Sequence, residues 1–200
     1  LNDFVKYQHF KMESLDSALK MVEPNCWFTS LDFTDAYYSF KIAQEHTKYL
    51  RFHLDGALLE MVALPNGLGQ APRTFTKCVK VPLSVLREKY NISITGYIDD
   101  TLITNENPNL LIQHTSQAAE MFQNLGFTIS KEKSVIKPTQ EIEYLGFIIN
   151  SRKMTIRLPD RKITKILQSV RLLMRKTRPS IRLISKVLGV LEATYPANKI

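Results

Sequence analysis

Along the first 157 residues, apolar side chains recur sometimes with the spacing of a helix and sometimes with that of a strand. Helical spacing predicts helices over residues 13–22, 70–90 and 109–125. Strand-like runs predict short strands at residues 27–33, 48–54, 57–64, 92–97 and 101–104, and then around 127–129, 134–136, 144–150 and 154–157. Helices and strands in this mixed order predict an α+β fold.

Turn residues and helix faces add detail to these boundaries. Asp55-Gly56 between two apolar runs is typical of a two-residue β-hairpin. Gly126 stands where a glycine commonly ends a helix. The helix at 70–90 should bend at Pro82, because proline removes a backbone hydrogen bond. Its expected buried face carries Phe75, Val79, Leu83 and Leu86.

Residues 158–200 show only the helical period, which predicts two amphipathic helices. Their apolar stripes comprise Ile163, Ile166, Leu167, Val170, Leu173 and Met174 in the first helix, and Ile181, Ile184, Val187, Leu188 and Leu191 in the second. Pro159 lies near the first turn, and Ser180 is the expected N-cap of the second helix. The chain should therefore change from α+β to all-helical near residue 157.

The charge of the chain changes at the same place. The 200 residues contain 27 Lys+Arg and 19 Asp+Glu, a formal net charge of +8. Residues 151–200 hold 13 of these basic residues against Asp160 and Glu192, a net of +11, which leaves −3 for residues 1–150. A surface of one sign suits a nucleic-acid backbone. A basic amphipathic helix also suits a membrane surface, but the apolar stripes contain no aromatic residue, which favours nucleic acid.

Composition excludes several classes of protein. Hydrophobic residues at 44% and aromatic residues at 10% exclude a disordered chain. The apolar stretch at 144–149 is far shorter than the roughly 20 residues of a membrane span. Cys26 and Cys78 lack the spacing of a zinc site or a disulfide framework. With no signal peptide, we expect an intracellular protein without a membrane partner, in either cytoplasm or nucleus.

Three carboxylates occupy the ends of apolar strands. Asp32 lies at the end of strand 27–33, and Asp99-Asp100 lie at the expected tip of the second hairpin. If these strands are neighbours, the carboxylates meet at one sheet edge, where divalent cations would relieve their repulsion. Such a site suits Mg²⁺ and two-metal phosphoryl transfer. By themselves, Asp-Asp is also common at hairpin tips, and Asp32 is compatible with a helix N-cap.

Five segments resemble, in order and with similar spacing, the motifs of reverse transcriptases, most closely those of retrotransposons of the LTR type or a related type. They are residues 28–38, Leu64-Pro65-Asn66-Gly67-Leu68 with Ala71-Pro72 and Phe75, Tyr97-Ile98-Asp99-Asp100, Leu125-Gly126-Phe127 with Lys131 and Lys133, and Tyr144-Leu145-Gly146-Phe147. Each motif by itself is weak, but the five in register cover nearly the whole chain.

The resemblance implies a right-hand polymerase that adds deoxynucleotides to a primer 3′-OH by two-metal catalysis. It implies a ferredoxin-like palm with partial fingers over residues 1–157, a fingers-like insertion at about 41–70, and a basic helical thumb segment over 158–200. The implied cofactor is Mg²⁺ (two ions), for which Mn²⁺ can substitute. The implied partners are an RNA or DNA template with primer and deoxynucleoside triphosphates.

The resemblance also implies roles for single residues. The implied catalytic residues are Asp32, Asp99, Asp100 and Lys133, with the metals held by the three carboxylates and the backbone carbonyl of Phe33. The implied nucleotide-binding residues are Asp35, Ala36, Tyr37, Asn66 and Gly67, and the implied primer grip is Tyr144, Leu145 and Gly146. The expected contacts to the nucleic-acid backbone are Arg161, Lys162, Lys165, Arg175 and Lys176. Tyr37 would exclude a ribose 2′-OH, and Lys133 would protonate the departing pyrophosphate.

Departures from the family pattern leave alternatives open. Asn66 replaces the Gln or aromatic residue that is common after the Leu-Pro pair. Because the chain opens on Leu1 rather than Met, we expect a fragment, with further fingers strands before it and an RNase H region in the parent polyprotein. One alternative is a non-catalytic retroelement remnant that only binds nucleic acid. Another is a different two-metal palm enzyme, such as a nucleotidyl cyclase, which would not explain the primer-grip-like segment or the basic tail.

Overall fold

The computed structural model describes residues 1–198, which form helices and strands in mixed order. The helices are α1 (Leu15–Leu19), α2 (Gln44–Thr47), α3 (Ala71–Tyr90), α4 (Pro108–Asn124), α5 (Asp160–Met174) and α6 (Ile181–Glu192). The strands are β1 (Trp27–Ser30), β2 (Phe33–Thr34), β3 (Arg51–Leu54), β4 (Ala57–Glu60), β5 (Ser93–Tyr97), β6 (Asp100–Asn105), β7 (Thr128–Ile129), β8 (Val135–Thr139), β9 (Glu141–Tyr144), β10 (Phe147–Asn150) and β11 (Thr155–Arg157). Short 3₁₀ helices cover Asn2–Phe4, Ala36–Ser39, Lys48–Leu50 and Tyr195–Asn198.

The central sheet has the strand order β5-β6-β1-β8, and each neighbouring pair is antiparallel. Along the chain its elements follow as β1-α3-β5-β6-α4-β8. A β-α-β-β-α-β succession in which the third and fourth strands flank the first, and the second pairs with the third at the edge, is the ferredoxin-like arrangement. The predicted α+β class and ferredoxin-like palm are therefore confirmed.

The two faces of this sheet contact different layers. Ile103, on one face, belongs to a core cluster with residues of α3 and α4. Leu102, its neighbour in β6, belongs to a second cluster with residues of α1 and of the β9–β11 sheet. Successive strand residues point to opposite faces, so both faces of the sheet are covered.

Helix α3 confirms the predicted periodicity. Phe75, Val79, Leu83 and Leu86 are all buried, and the helix continues through Pro82 without interruption. Helix α4 ends as expected, with Gly126 immediately after it in the left-handed region at φ +90°. The predicted buried face of α3 and the predicted end of α4 are therefore confirmed.

The predicted hairpin around Asp55-Gly56 is confirmed, with strands shorter than expected. Leu54 pairs with Ala57, and Asp55 and Gly56 have φ values of 50° and 78°. Every residue of β3 and β4 is exposed. The hairpin therefore extends away from the palm core.

Two single strands predicted from the sequence are wrong. The run at 27–33 splits into β1 and β2, because the chain leaves the central sheet after Ser30 and Phe33 pairs with Ile129 of β7. The run at 144–150 contains the end of β9, a turn at Leu145-Gly146 and the whole of β10, so that Phe147 pairs with Tyr144 across the turn. In both cases the apolar run continues through a change of direction that hydrophobicity does not reveal.

The two C-terminal helices form with Ser180 as the predicted N-cap, since its side chain accepts a hydrogen bond from the Leu183 amide. Within residues 1–198, α5 has no buried side chain and α6 buries only Val187. The predicted apolar stripes are therefore largely exposed, with Met174 at 79% and Ile181 at 83%. Among these described residues, no helix combines the length and hydrophobicity needed to cross a membrane.

Candidate active site

Asp32 lies where β1 leaves the central sheet. The preceding residue, Leu31, is held by Thr101, whose amide and hydroxyl both donate to the Leu31 carbonyl at 3.0 and 2.9 Å. The Asp32 amide donates to the Ser134 hydroxyl at 3.0 Å. Asp32 also forms an isolated antiparallel bridge with Asp100. Contacts from distant segments therefore bring these two aspartates side by side.

The turn between β5 and β6 separates Asp99 from Asp100. Tyr97 pairs with Asp100, so the tip consists of Ile98 and Asp99, and Asp100 belongs to the strand. The expectation that both aspartates lie at the tip is therefore wrong. Ile98 has φ 53°, a conformation rare for a β-branched residue. The Asp99 carbonyl accepts a hydrogen bond from the Phe33 amide at 3.2 Å, which ties the tip to β2.

Two cavities meet at these carboxylates. The first, of about 280 Å³, is lined by Phe33, Thr34, Asp35, Ala36, Tyr37, Tyr38, Asn66, Ile98, Asp99 and Lys133. The second, of about 290 Å³, is lined by Ser30, Asp32, Asp100, Thr101, Lys133, Val135, Glu143, Tyr144, Leu145 and Gly146. Lys133 borders both cavities. The structure thus brings most of the predicted nucleotide residues to one cavity and the predicted primer-grip residues to the other.

The ionised forms of the carboxylates in the second cavity are disfavoured by burial and by mutual repulsion. Burial raises the pKa of Asp100 to about 6, together with the negative charges of Asp99 and Asp32, while Lys133 opposes the rise. Burial also raises the pKa of Asp32, with Lys133 lowering it and Asp99 raising it further. The Lys133 ammonium lies 3.9 Å from Asp32 Oδ1, but its side chain is 73% exposed. One solvated lysine does not neutralise this group of acids.

These residues fit a divalent cation. Asp32 Oδ1 is buried and has no hydrogen-bond partner among the described residues. Within residues 1–198, no three His, Cys, Asp or Glu side chains already stand close enough together to hold a metal ion. Mg²⁺ usually binds through one or two carboxylates and completes its shell with water and substrate phosphates. An unpartnered buried carboxylate oxygen with a second carboxylate beside it matches that mode of binding.

The first cavity is shaped by the 3₁₀ turn that follows β2. Asp35 adopts a left-handed conformation at φ 50° and immediately precedes this turn. The Tyr37 ring packs edge-on against Phe75, with ring centroids 5.3 Å apart. Burial and the nearby negative charge of Asp99 raise the pKa of Tyr37, so its hydroxyl stays protonated at neutral pH. A rigid aromatic ring therefore borders the cavity beside Asp99.

Of the two predicted nucleotide-binding residues in the loop at 65–70, Asn66 lines the first cavity and Gly67 does not. The Asn66 side chain donates a long hydrogen bond of 3.5 Å to the Tyr38 hydroxyl, and both residues line the first cavity. Gly67 instead contacts the N-terminal segment, since the side-chain amide of Asn2 donates to the Gly67 carbonyl at 2.8 Å. Tyr38 is a cavity residue that motif spacing did not identify, because its contact depends on the folded loop.

The predicted primer grip is the turn of the β9–β10 hairpin. Leu145 and Gly146 have φ values of 47° and 75°. Tyr144, just before the turn, is buried, and burial and the charge of Asp100 raise its pKa. Glu143, which the sequence did not single out, also lines the second cavity.

Helix α5 docks on this hairpin through two of the predicted backbone-binding residues. Arg161 forms an ion pair with Glu143, with an Nη1 to Oε2 distance of 2.7 Å. The Lys162 ammonium donates to the Gly146 carbonyl at 2.9 Å and lies 5.3 Å from the centre of the Phe147 ring. The other three predicted residues, Lys165, Arg175 and Lys176, are exposed. The structure therefore separates two docking residues from three solvent-facing ones.

Comparison with known proteins identifies relatives of the chain. The family model described as "Reverse transcriptase (RNA-dependent DNA polymerase)" matches residues 1–149. The chain is similar to the Gag-Pol polyprotein of Walleye dermal sarcoma virus, with 28% identity over 138 residues, 69% of this chain and 8% of that polyprotein. It is also similar to the Transposon Tf2-3 polyprotein of Schizosaccharomyces pombe, with 22% identity over 155 residues, 78% of this chain and 11% of that polyprotein. The chain thus spans only a small part of either relative.

Solved structures of the foamy viral protease-reverse transcriptase share the fold. The complex with double-stranded DNA superposes with a TM-score of 0.79 at 20% identity, over 96% of this chain and 31% of that one. The complex with an RNA/DNA hybrid gives a TM-score of 0.72 at 18% identity, over 94% of this chain and 24% of that one. The right-hand polymerase architecture predicted from the motifs is therefore confirmed. Because the family model covers residues 1–149, the chain belongs to the reverse transcriptase family.

Proposed function

We propose that this chain catalyses RNA-directed DNA polymerisation, the template-directed addition of deoxynucleotides to a primer 3′-OH. One observation carries the proposal. Asp99 lines a cavity formed by the nucleotide motif, while Asp32 and Asp100 line an adjoining cavity formed by the primer-grip hairpin. A nucleotide in the first cavity and a primer end in the second would meet at the carboxylates.

In the first cavity, the backbone amides of Asp35 and Ala36 face the triphosphate. Amides at the start of a helical turn attract phosphate oxygens because their hydrogens carry partial positive charge. The Tyr37 ring, held against Phe75, lies under the sugar and excludes a 2′-OH by its bulk. Asn66, which lines the same cavity, contacts the incoming base pair. Deoxynucleoside triphosphates are therefore the proposed substrates.

In the second cavity, the turn at Tyr144, Leu145 and Gly146 holds the primer terminus. The buried Tyr144 and the docked α5 helix limit the movement of this turn. Lys133, which borders both cavities, gives its proton to the departing pyrophosphate. Its exposure lets it regain a proton from solvent after each addition.

Asp32, Asp99 and Asp100, with the backbone carbonyl of Phe33, are the proposed ligands of two Mg²⁺ ions, for which Mn²⁺ can substitute. When bound, the ions supply activation of the primer hydroxyl and stabilisation of pyrophosphate charge. The carboxylates serve this role only in the ionised form. The charge of Lys133, which lowers the pKa of Asp32 and Asp100, helps to keep them ionised at neutral pH.

The basic helical segment is the proposed contact to the template–primer duplex. The net charge of +11 on residues 151–200, which include this segment, suits the phosphate backbone, and binding of this kind weakens steeply as salt increases. The foamy viral relatives were solved in complex with double-stranded DNA and with an RNA/DNA hybrid. Of the five predicted contacts, Lys165, Arg175 and Lys176 are exposed and do not dock on the β9–β10 hairpin.

The deciding assay is primer extension on RNA and DNA templates by a polypeptide that contains residues 1–200. Asp99→Asn should lower extension by about a thousandfold or more, because it removes a metal ligand without changing the shape of the side chain. Asp16→Asn, an exposed change on α1, should leave extension unchanged. Extension that does not depend on Asp99 would refute the proposal.

Nucleic-acid binding without catalysis is the second candidate function. It is favoured by the separation of the +11 segment from the carboxylates along the chain. Salt-dependent duplex binding that is equal in wild type and Asp99→Asn, with no extension by either, would support this candidate over the polymerase.

A further inference from the structure

The outer edge of strand β5 is closed by two side chains instead of by another strand. β5 is the edge strand of the central sheet and leads directly to Asp99. Edge strands leave backbone donors and acceptors unpaired. Here the Gly96 amide donates to Glu13 Oε2 at 2.9 Å, and the Ile94 carbonyl accepts from Arg87 Nε at 2.7 Å. Glu13 and Arg87 together replace the missing neighbour of the strand.

These two side chains also hold each other. Arg87 Nη2 donates to both carboxylate oxygens of Glu13, at 2.6 and 2.8 Å. Glu13 lies just before α1, and Arg87 lies in the last turn of α3. Burial alone would raise the pKa of Glu13, but hydrogen bonds from Thr95, Gly96 and Arg87 lower it. The ionised carboxylate therefore joins α1, α3 and β5 at one point.

The same carboxylate reaches toward the second cavity. The buried Thr95 hydroxyl donates to Glu13 Oε2 at 2.5 Å. On the same face of the sheet, Thr95 pairs with Leu102, which belongs to one core cluster with Tyr144. Tyr144 lines the cavity beside Asp100, and burial and the charges of Asp100 and Glu13 raise its pKa.

On its other side, β5 has no room to move toward α3. A Cβ on Gly96 would lie 2.9 Å from Leu83 Cδ1, so strand and helix are already in close contact there. Leu83 limits the strand from one side and Glu13 and Arg87 hold its edge. Gly96 is only three residues before Asp99, so the position of this strand sets the position of the turn.

We propose that Glu13 and Arg87 are positioning residues of the polymerase, which hold β5 so that Asp99 and Tyr144 stand in register across the two cavities. This inference rests on the proposed polymerase function. Neither residue touches a cavity that we assign to nucleotide or primer. Their effect on the reaction is exerted through the strand and through Thr95.

The test uses Glu13→Gln, Arg87→Gln and the double variant. Glu13→Gln keeps the size of the side chain but removes its charge and puts an amide NH₂ where an acceptor is required. Glu141→Gln is the matched control, since it also breaks an ion pair, with Arg157 at 3.2 Å, at the end of the β9–β10 hairpin away from the turn. Each variant is measured by steady-state primer extension and by backbone hydrogen exchange.

We expect Glu13→Gln to lower kcat by about tenfold to a hundredfold, because small displacements of reacting groups have effects of that size. KM for the deoxynucleotide should change by less than about threefold, because the amides and the ring at Asp35–Tyr38 are untouched. The kcat of the double variant should be no lower than that of the more damaging single variant, since both substitutions break the same contact between Glu13 and Arg87. A merely structural ion pair would lower the stability of the protein without separating kcat from KM.

Hydrogen exchange tests the same inference without activity. In Glu13→Gln the amides of residues 93–100 should exchange at least about tenfold faster, while those of α4 should keep their wild-type rates. Unchanged exchange in this segment, or a kcat within about twofold of wild type or of Glu141→Gln, would overturn the positioning role. Wild-type protein without Asp99-dependent extension would instead overturn the polymerase function itself.

Discussion

Replacing Asp100 with Asn should stabilise the protein at neutral pH while removing a proposed metal ligand. Asn has nearly the same shape as Asp, so packing beside Tyr144 and Thr101 is preserved. What changes is the charge that burial and the neighbouring Asp99 and Asp32 disfavour. The structure therefore predicts a gain in stability from a substitution at the centre of the candidate site.

The magnitude follows from the pKa of Asp100, which is raised from an ordinary 3.8 to about 6. One pKa unit corresponds to about 1.4 kcal/mol, so the ionised carboxylate costs the fold about 3 kcal/mol at neutral pH. A carboxyl whose pKa is higher in the folded state binds its proton more tightly there. Stability due to this group is therefore greatest below about pH 4 and falls as pH rises to about 6.

Urea unfolding of wild type and Asp100→Asn between pH 4 and pH 7.5 measures this effect directly. The difference in unfolding free energy should be near zero at about pH 4 and should grow to about 3 kcal/mol in favour of the variant by pH 7. Adding Mg²⁺ should stabilise wild type more than the variant, because the ion offsets the same repulsion. Asp16→Asn serves as a control for the loss of one exposed carboxylate.

Two results would refute this reasoning. A difference between Asp100→Asn and wild type that does not change with pH would show that the carboxylate is not disfavoured in the folded protein. A variant less stable than wild type at pH 7 would show that hydrogen bonds to the Asp100 carboxylate outweigh its burial and repulsion.

Two further predictions concern the primer-grip turn and the basic helices. Gly146→Ala should destabilise the protein by about 1 kcal/mol more than Gly126→Ala in urea unfolding. The Cβ added at residue 146 would lie 2.0 Å from Lys162 Nζ and would displace the hydrogen bond from Lys162 to the Gly146 carbonyl, whereas Gly126 faces open space. Equal losses of stability would contradict the docking of α5. Lys165→Ala and Lys176→Ala should each reduce the slope of log K against log salt for duplex binding by about 1; an unchanged slope measured by fluorescence anisotropy would remove these residues from the interface.

Features that depend only on neighbouring residues could be predicted from the sequence. The spacing of Phe75, Val79, Leu83 and Leu86 predicted the buried face of α3, and all four are buried. Asp55-Gly56 predicted a hairpin, and Gly126 predicted the end of α4. Helix period and turn dihedrals are properties of a few consecutive residues, so they can be read without knowing the fold.

The division of the candidate site depends on contacts between remote segments. Motif order placed Asp99 and Asp100 together at a hairpin tip, but cross-strand pairing assigns them to different cavities. The sequence predicts Arg161 and Lys162 as contacts to the nucleic-acid backbone, and the fold places both against the β9–β10 hairpin.

Glu13 gave no signal in the sequence, because its partners Arg87 and Gly96 lie more than 70 residues away. Pairing between strands and contacts between remote side chains depend on which surfaces the whole chain brings together. Local periodicity carries no information about such contacts. The positioning role proposed for Glu13 and Arg87 therefore depends on the tertiary structure.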